Sequence, residues 1–137
     1  MPYPEQLIAP MRAELTELGA RELKTAAAVD DQLAKPGTVL LVVNSICGCA
    51  AGRARPGVAM ALHGSRRPDA LATVFAGADM EATARAREHL LPYPPSSPSI
   101  GLFKDGKLVW MMERRQIEGQ DAPAIAAQLE QAFEAYC

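Results

Sequence analysis

Thr38-Val39-Leu40-Leu41-Val42-Val43-Asn44-Ser45-Ile46-Cys47-Gly48-Cys49 is the stretch that decides the fold. Val39 to Val43 is an unbroken apolar run rich in β-branched residues, with no polar residue at alternate positions. A strand with one wet face alternates, whereas a strand covered on both faces does not. Thr38–Asn44 is therefore predicted as a central strand. Ser45 to Gly48 reads as a turn leading into a helical stretch from about Cys49 to Leu62. Pro56 falls inside that stretch and should kink or split it, because proline lacks an amide hydrogen and crowds the preceding turn.

Upstream, Leu7, Met11, Leu15 and Leu18 recur at steps of three or four, the spacing of a helix ended by Gly19. Pro10 is tolerated best in a first turn, so the helix is expected to begin near it. Ala20–Lys24 reads as a short strand. Thr25 reads as the N-cap of a helix to about Ala34, stopped by Lys35-Pro36-Gly37.

Downstream, Leu71–Ala76 is a second buried strand closed by Gly77. Asp79 is expected to cap a helix running to about Leu91, with Arg85, Arg87 and Glu88 turned to solvent. Pro92-Tyr93-Pro94-Pro95-Ser96-Ser97-Pro98 can be neither helix nor inner strand. Ser99–Lys104 and Lys107–Glu113 flank Asp105-Gly106, a hairpin signal because both central positions need positive φ. Ala122–Tyr136 forms a closing helix with Ile125, Leu129, Ala132 and Phe133 on one face.

The order is an extra N-terminal helix followed by βαβαβαββα, with no linker, repeat or low-complexity segment to divide residues 1–137. One domain of α/β class is expected, built on a mixed sheet with helices on both faces. Active groups in such sheets gather beyond the carboxyl ends of central strands. Cys47 stands there.

The 137 residues are 49% hydrophobic and 22% charged, enough apolar material for a core and too little charge for disorder. A formal net charge of −2 gives no electrostatic reason to propose nucleic acid or an anionic membrane as partner. Met1 to Leu7 lacks the basic start and apolar core of a secretory signal, and Val39–Val43 is too short to span a bilayer. A cytoplasmic location is the expectation. Three cysteines, two of them separated by one residue and one at position 137, make a poor stapling set.

A thiol attacks as its thiolate, and a helix N-terminus favours the charged form through unpaired N–H groups and partial positive charge. Cys47 is placed to receive that help, with Arg53 and Arg55 as nearby cations. Cys49 lies two residues on, and Gly48 relaxes the backbone between them. A Cys47–Cys49 disulfide would close a ring one residue smaller than in Cys-X-X-Cys, and strained disulfides are easily reduced. The pair should act as an oxidant, isomerase or mixed-disulfide exchanger. Cys-X-Cys also suits soft metals. A closed zinc site needs four ligands, however, and neither His63 nor His89 forms a ligand pair by spacing. No metal is expected.

Ser97 to Val109, running through Pro98 and the Asp105-Gly106 turn, resembles the second half of thioredoxin. That likeness implies a thioredoxin-like sheet in which Pro98 adopts the cis form and lies against the cysteines. It offers a bare backbone edge to substrate, with Gly48 and Ser97 beside it. More specifically, Val42–Pro56 and Tyr93–Ile100 resemble the bacilliredoxin family. So do Val74-Phe75-Ala76-Gly77 with Asp79, Glu113-Arg114, Ile117-Glu118-Gly119 and the terminal cysteine.

The resemblance implies an enzyme that removes bacillithiol from client protein cysteines, with weak disulfide isomerase activity and no bound cofactor. Bacillithiol would be the co-substrate and S-thiolated proteins the partners. Cys47 would attack the mixed disulfide. A second thiol, Cys49, or Cys137 at the chain end would resolve the adduct. Trp110 and Arg115 stand where histidine is expected in many members, so no proton shuttle is assigned to them. A non-enzymatic alternative uses the same turn as a redox sensor or soft-metal carrier.

Overall fold

The computed structural model describes residues 2–137. Helix α1 (Glu5–Thr16) precedes β1 (Arg21–Glu22), α2 (Ala26–Leu33) and β2 (Thr38–Asn44). A wide-turned helical segment, Ala50–Ala54, runs into α3 (Arg55–Ala61), followed by β3 (Ala70–Phe75) and α4 (Met80–His89). The hairpin β4 (Ser99–Lys104) and β5 (Lys107–Met112), α5 (Arg114–Glu118) and α6 (Ala122–Tyr136) complete the chain.

The five strands lie in the order β1-β3-β2-β4-β5, so β2 is central. It pairs parallel with β3 and antiparallel with β4, and every residue of it is buried. Its apolar run divides between two layers. Leu40 and Val42 face a core shared with Leu15, Val58, Ile125, Leu129 and Phe133. Val39, Leu41 and Val43 face a second core with Val29, Leu33, Ala82 and Ala86. The absence of alternation thus reflects two dry faces.

The hairpin turn holds Asp105 at φ 49° and Gly106 at φ 83°, the positive pair its sequence demands. Thr25 caps α2 by accepting from the Ala28 amide at 3.1 Å.

Several expectations need correction. Helix α1 begins at Glu5 and carries Pro10 inside it. Only one intrahelical bond is forfeited there, and Ile8, Arg12 and Leu15 still bury one face. The first strand is two residues long instead of five. Asp79 stands at the N-cap of α4 but does not cap it. Its carboxylate instead accepts from the Phe75 amide and receives two 2.8 Å bonds from the buried Arg12 guanidinium, pinning α1 to the β3–α4 junction. At Pro56 the helical stretch divides, as expected, into Ala50–Ala54 and α3. The turn before it widens, and the Arg55 amide donates to Ala50 O, five residues back. Helix α5 went unforeseen. Among the described residues no helix is long and apolar enough to cross a membrane.

Candidate active site

The chain leaves β2 at Asn44 and turns through Ser45 and Ile46 to Cys47, where side chains take over from the sheet ladder. The Ser45 amide donates to Asn44 Oδ1 at 2.9 Å, and the Cys47 amide donates to Ser45 Oγ at 3.0 Å. Beneath them, Arg55 is 2% exposed and donates from Nη1 to Asn44 Oδ1 at 2.8 Å and to Ser45 O at 3.0 Å. Its Nε lies 3.2 Å from Glu14 on α1. A buried cation therefore ties the end of the central strand to the helix that follows it.

All three cysteines are free thiols. The Cys49 amide donates to Cys47 Sγ at 3.4 Å. That backbone hydrogen bond is the largest influence pulling the Cys47 thiol below its ordinary value. Partial burial opposes it, while the Cys49 thiol, the charge of Arg114 and the Ala50 amide add to it. Cys49 is moved the other way. Burial comes first among the causes, and its contact with Cys47 adds to the upward shift. The two sulfurs are thus unequal: Cys47 ionises more readily than an ordinary thiol, and Cys49, packed on the core cluster, less readily.

Cys47 opens on a cavity of about 470 Å³. Ser45 and Ile46 line it with Cys47, and Ala76 and Gly77 follow the end of β3. Arg87 reaches in from α4, Ser97 from the proline-rich loop and Arg114 from α5. Tyr3 closes the rim: its amide donates to Gly77 O at 3.1 Å, and its ring lies where a Gly77 side chain would be.

The expected residues sort as follows. Cys47 and Ser97 share the cavity. The Ser97–Pro98 bond is cis, and Pro98 is buried directly before β4, paired with β2. Gly48 is exposed with open space where a Cβ would stand and no positive φ, so the reduced protein does not require glycine there. Arg53 donates to the Gln120 carbonyl and Arg55 serves the buried network, so the cation acting on Cys47 is Arg114. Arg87 is half-buried, and its Nε is buried.

Cys137 lies at the opposite end of the sheet. Its thiol contacts the side chain of Thr38, the first residue of β2, and burial pushes it above the ordinary value. Seven residues of strand, about 20 Å, separate that position from the Cys47 end, so Cys137 is out of reach as an internal resolving thiol. Trp110 packs half-buried on the α6 side of the sheet and does not line the cavity. Arg115 is exposed and pairs with Glu113. Among the described residues no three His, Cys, Asp or Glu side chains are grouped to hold a metal ion.

Solved structures share the architecture. One described as having a thioredoxin fold superposes with a TM-score of 0.64 at 14% identity, over 83% of this chain and 96% of that one. A mutant thioredoxin from Halobacterium salinarum gives a TM-score of 0.57 at 22% identity, over 84% of this chain and 88% of that one. The fold is thioredoxin-like.

Sequence comparison reaches further. A bacilliredoxin of Cytophaga hutchinsonii is 56% identical over 132 residues, covering 96% of this chain and 98% of the relative. One from Geobacillus kaustophilus is 49% identical over 136 residues, covering 99% and 94%. The family model described as disulphide isomerase matches residues 3–137. With that match along nearly its whole length, and the Cys47-Gly48-Cys49 turn seated at the end of the central strand, the chain belongs to the bacilliredoxin family.

Proposed function

We propose that this protein is a thiol–disulfide oxidoreductase, acting as one thioredoxin-like domain, that strips a low-molecular-weight thiol such as bacillithiol from client protein cysteines. The observation that carries this reading is the inequality of the two sulfurs: the more easily ionised Cys47 lines an open cavity, and the less easily ionised Cys49 does not.

In the first step, Cys47 thiolate attacks the outer sulfur of the client–bacillithiol disulfide. The Cys47–S bond to bacillithiol forms as the client S–S bond breaks, and the client sulfur leaves as a thiolate that takes a proton. No net oxidation occurs. A second bacillithiol then attacks the adduct, releasing bacillithiol disulfide and regenerating Cys47. Cys49 offers a slower internal route, because its proton must leave before it can attack. The buried Pro98 and neighbouring Ser97 present a backbone edge for the client beside the thiol. Weak disulfide isomerase activity fits the same exchange and the description of the family model. A reducing compartment such as the cytoplasm suits these free thiols.

The test uses a bacillithiolated protein and follows release of its thiol. Cys47→Ser should abolish release, and Cys49→Ser should retain part of it, with bacillithiol trapped on Cys47 as an intact-mass increase. Wild-type rates from Cys47→Ser would refute the assignment.

A further inference from the structure

We infer that Arg87 and Arg114 form an anion clamp across the Cys47 cavity, and that this enzyme selects thiols carrying carboxylate groups. The inference rests on the thiol-exchange reading and specifies the chemistry of the thiol that enters.

Three observations carry it. Among the described residues lining the cavity, Arg87 and Arg114 are the only Lys, Arg, Asp or Glu side chains, and both are cations. They come from different elements, Arg87 from the last turn of α4 and Arg114 from the start of α5, and they meet only at this cavity. Third, Arg87 Nε is buried without a hydrogen-bond partner, and none of the ion pairs among the described residues includes Arg87. A buried guanidinium N–H left unsatisfied carries a desolvation cost that an entering acceptor would remove. Arginine's planar fork matches a carboxylate with two parallel hydrogen bonds.

The second cation differs. Arg114 pairs with Glu118 on its own helix and donates from Nη1 to Ser97 O at 3.4 Å. It is partly neutralised and also serves the Cys47 thiolate. Arg87 is the free charge. At about 470 Å³ the cavity admits a small molecule with several polar groups but no folded partner. Ser45 and Ser97 add hydroxyl groups to its wall. An anionic thiol approaching a thiolate would be repelled in the absence of this charge; with it, the carboxylate is held while the sulfur reaches Cys47.

The test compares Cys47 adduct formation from three symmetric disulfides at low ionic strength: dithiodisuccinate (anionic), hydroxyethyl disulfide (neutral) and cystamine (cationic). In each reaction Cys47 thiolate forms a new S–S bond, the original S–S bond breaks, and one free thiolate leaves. Wild type should favour the anionic disulfide over the neutral one and disfavour the cationic one. Arg87→Gln should lower the anionic-to-neutral rate ratio about tenfold, the effect of one charge-assisted hydrogen bond. Arg87→Lys should restore part of it.

Arg85→Gln, on the same helix but bonded to Asp30 outside the cavity, should leave the ratio unchanged. Because the ratio cancels thiolate reactivity, a fall in both rates with an unchanged ratio would overturn the clamp. So would a wild type without anionic preference. Absence of adduct from all three disulfides would instead refute thiol exchange at Cys47.

Discussion

Arg55 Nη1 donates to Asn44 Oδ1 at 2.8 Å across a gap of eleven residues, joining the last residue of the central strand to the first residue of α3. The Cys47 turn hangs between these two anchors. A charge this deep is tolerated because Glu14 lies 3.2 Å from Nε and because Ser45 O accepts a second bond. The partners of that charge fix the turn's geometry.

Replacing Arg55 by leucine should therefore cost about 2–3 kcal/mol. Removing one side of a fully buried pair costs more, but Glu14 is 47% exposed and can be rehydrated, and Asn44 Oδ1 keeps the Ser45 amide. Urea denaturation should show a lower midpoint with an unchanged slope. Lysine should recover only part of the loss, because it cannot reach Asn44, Ser45 and Glu14 as a fork does. A wild-type midpoint for leucine would show that the network contributes nothing.

Arg114 should add to the pH profile of Cys47 that the Cys49 amide chiefly shapes. The Cys49 amide first, and then the charge of Arg114, favour the ionised sulfur, so the wild-type alkylation rate should rise with a midpoint below the ordinary thiol value. Arg114→Gln withdraws that charge and should move the midpoint upward, slowing alkylation near neutrality. Arg53→Gln should not move it, because that guanidinium is committed to the Gln120 carbonyl. Iodoacetamide rates across pH would measure both. A larger shift from Arg53 than from Arg114 would overturn the attribution.

What could be read in advance follows a physical division. Local constraints were legible: Val39–Val43 had to be dry on both faces, Asp105-Gly106 had to turn, and Thr25 had a helix to cap. The position of Cys47 at the carboxyl end of β2 followed from these.

Long side chains were not legible. Arg53, Arg55, Arg87 and Arg114 all carry the same charge in the sequence, yet they go to a carbonyl, a buried network, a cavity wall and the thiolate. Only tertiary packing separates them. Helix α5 is five residues long, too short for periodicity. Its one signal was the reciprocal capping box between Glu113 and Gln116, disguised by glutamate at a position where serine or threonine is usual. The wide turn at Ala50–Ala54 depends on Pro56 having no amide to offer, which announces a disturbance but not its form.

Gly57 should resist alanine. A Cβ there would stand 2.6 Å from Ile125 Cγ2, 2.9 Å from Ile125 Cβ and 3.3 Å from Ala122 O. The first atom could rotate away, but the other two move only with α6. Alanine gains about 1 kcal/mol of helix propensity over glycine, and overpacking of a tight contact costs roughly 1–3 kcal/mol. The clash should win, giving a net loss of up to about 2 kcal/mol by urea denaturation. A stabilised variant would mean that α3 and α6 are free to separate.

Cys137 provides the sharpest test of where resolution occurs. Its thiol rests against Thr38, a strand's length from the Cys47 end, and burial holds it protonated. If resolution belongs to an external thiol or to Cys49, Cys137→Ser should turn over a bacillithiolated substrate within about twofold of wild type; the residual allowance covers the local packing change at the end of α6. Peptide mapping after oxidation of the wild type should find Cys47 joined to Cys49 or to the small thiol, and Cys137 free. A Cys47–Cys137 crosslink in monomeric protein would require α6 to leave the sheet, and would overturn the assignment of resolution to the near end.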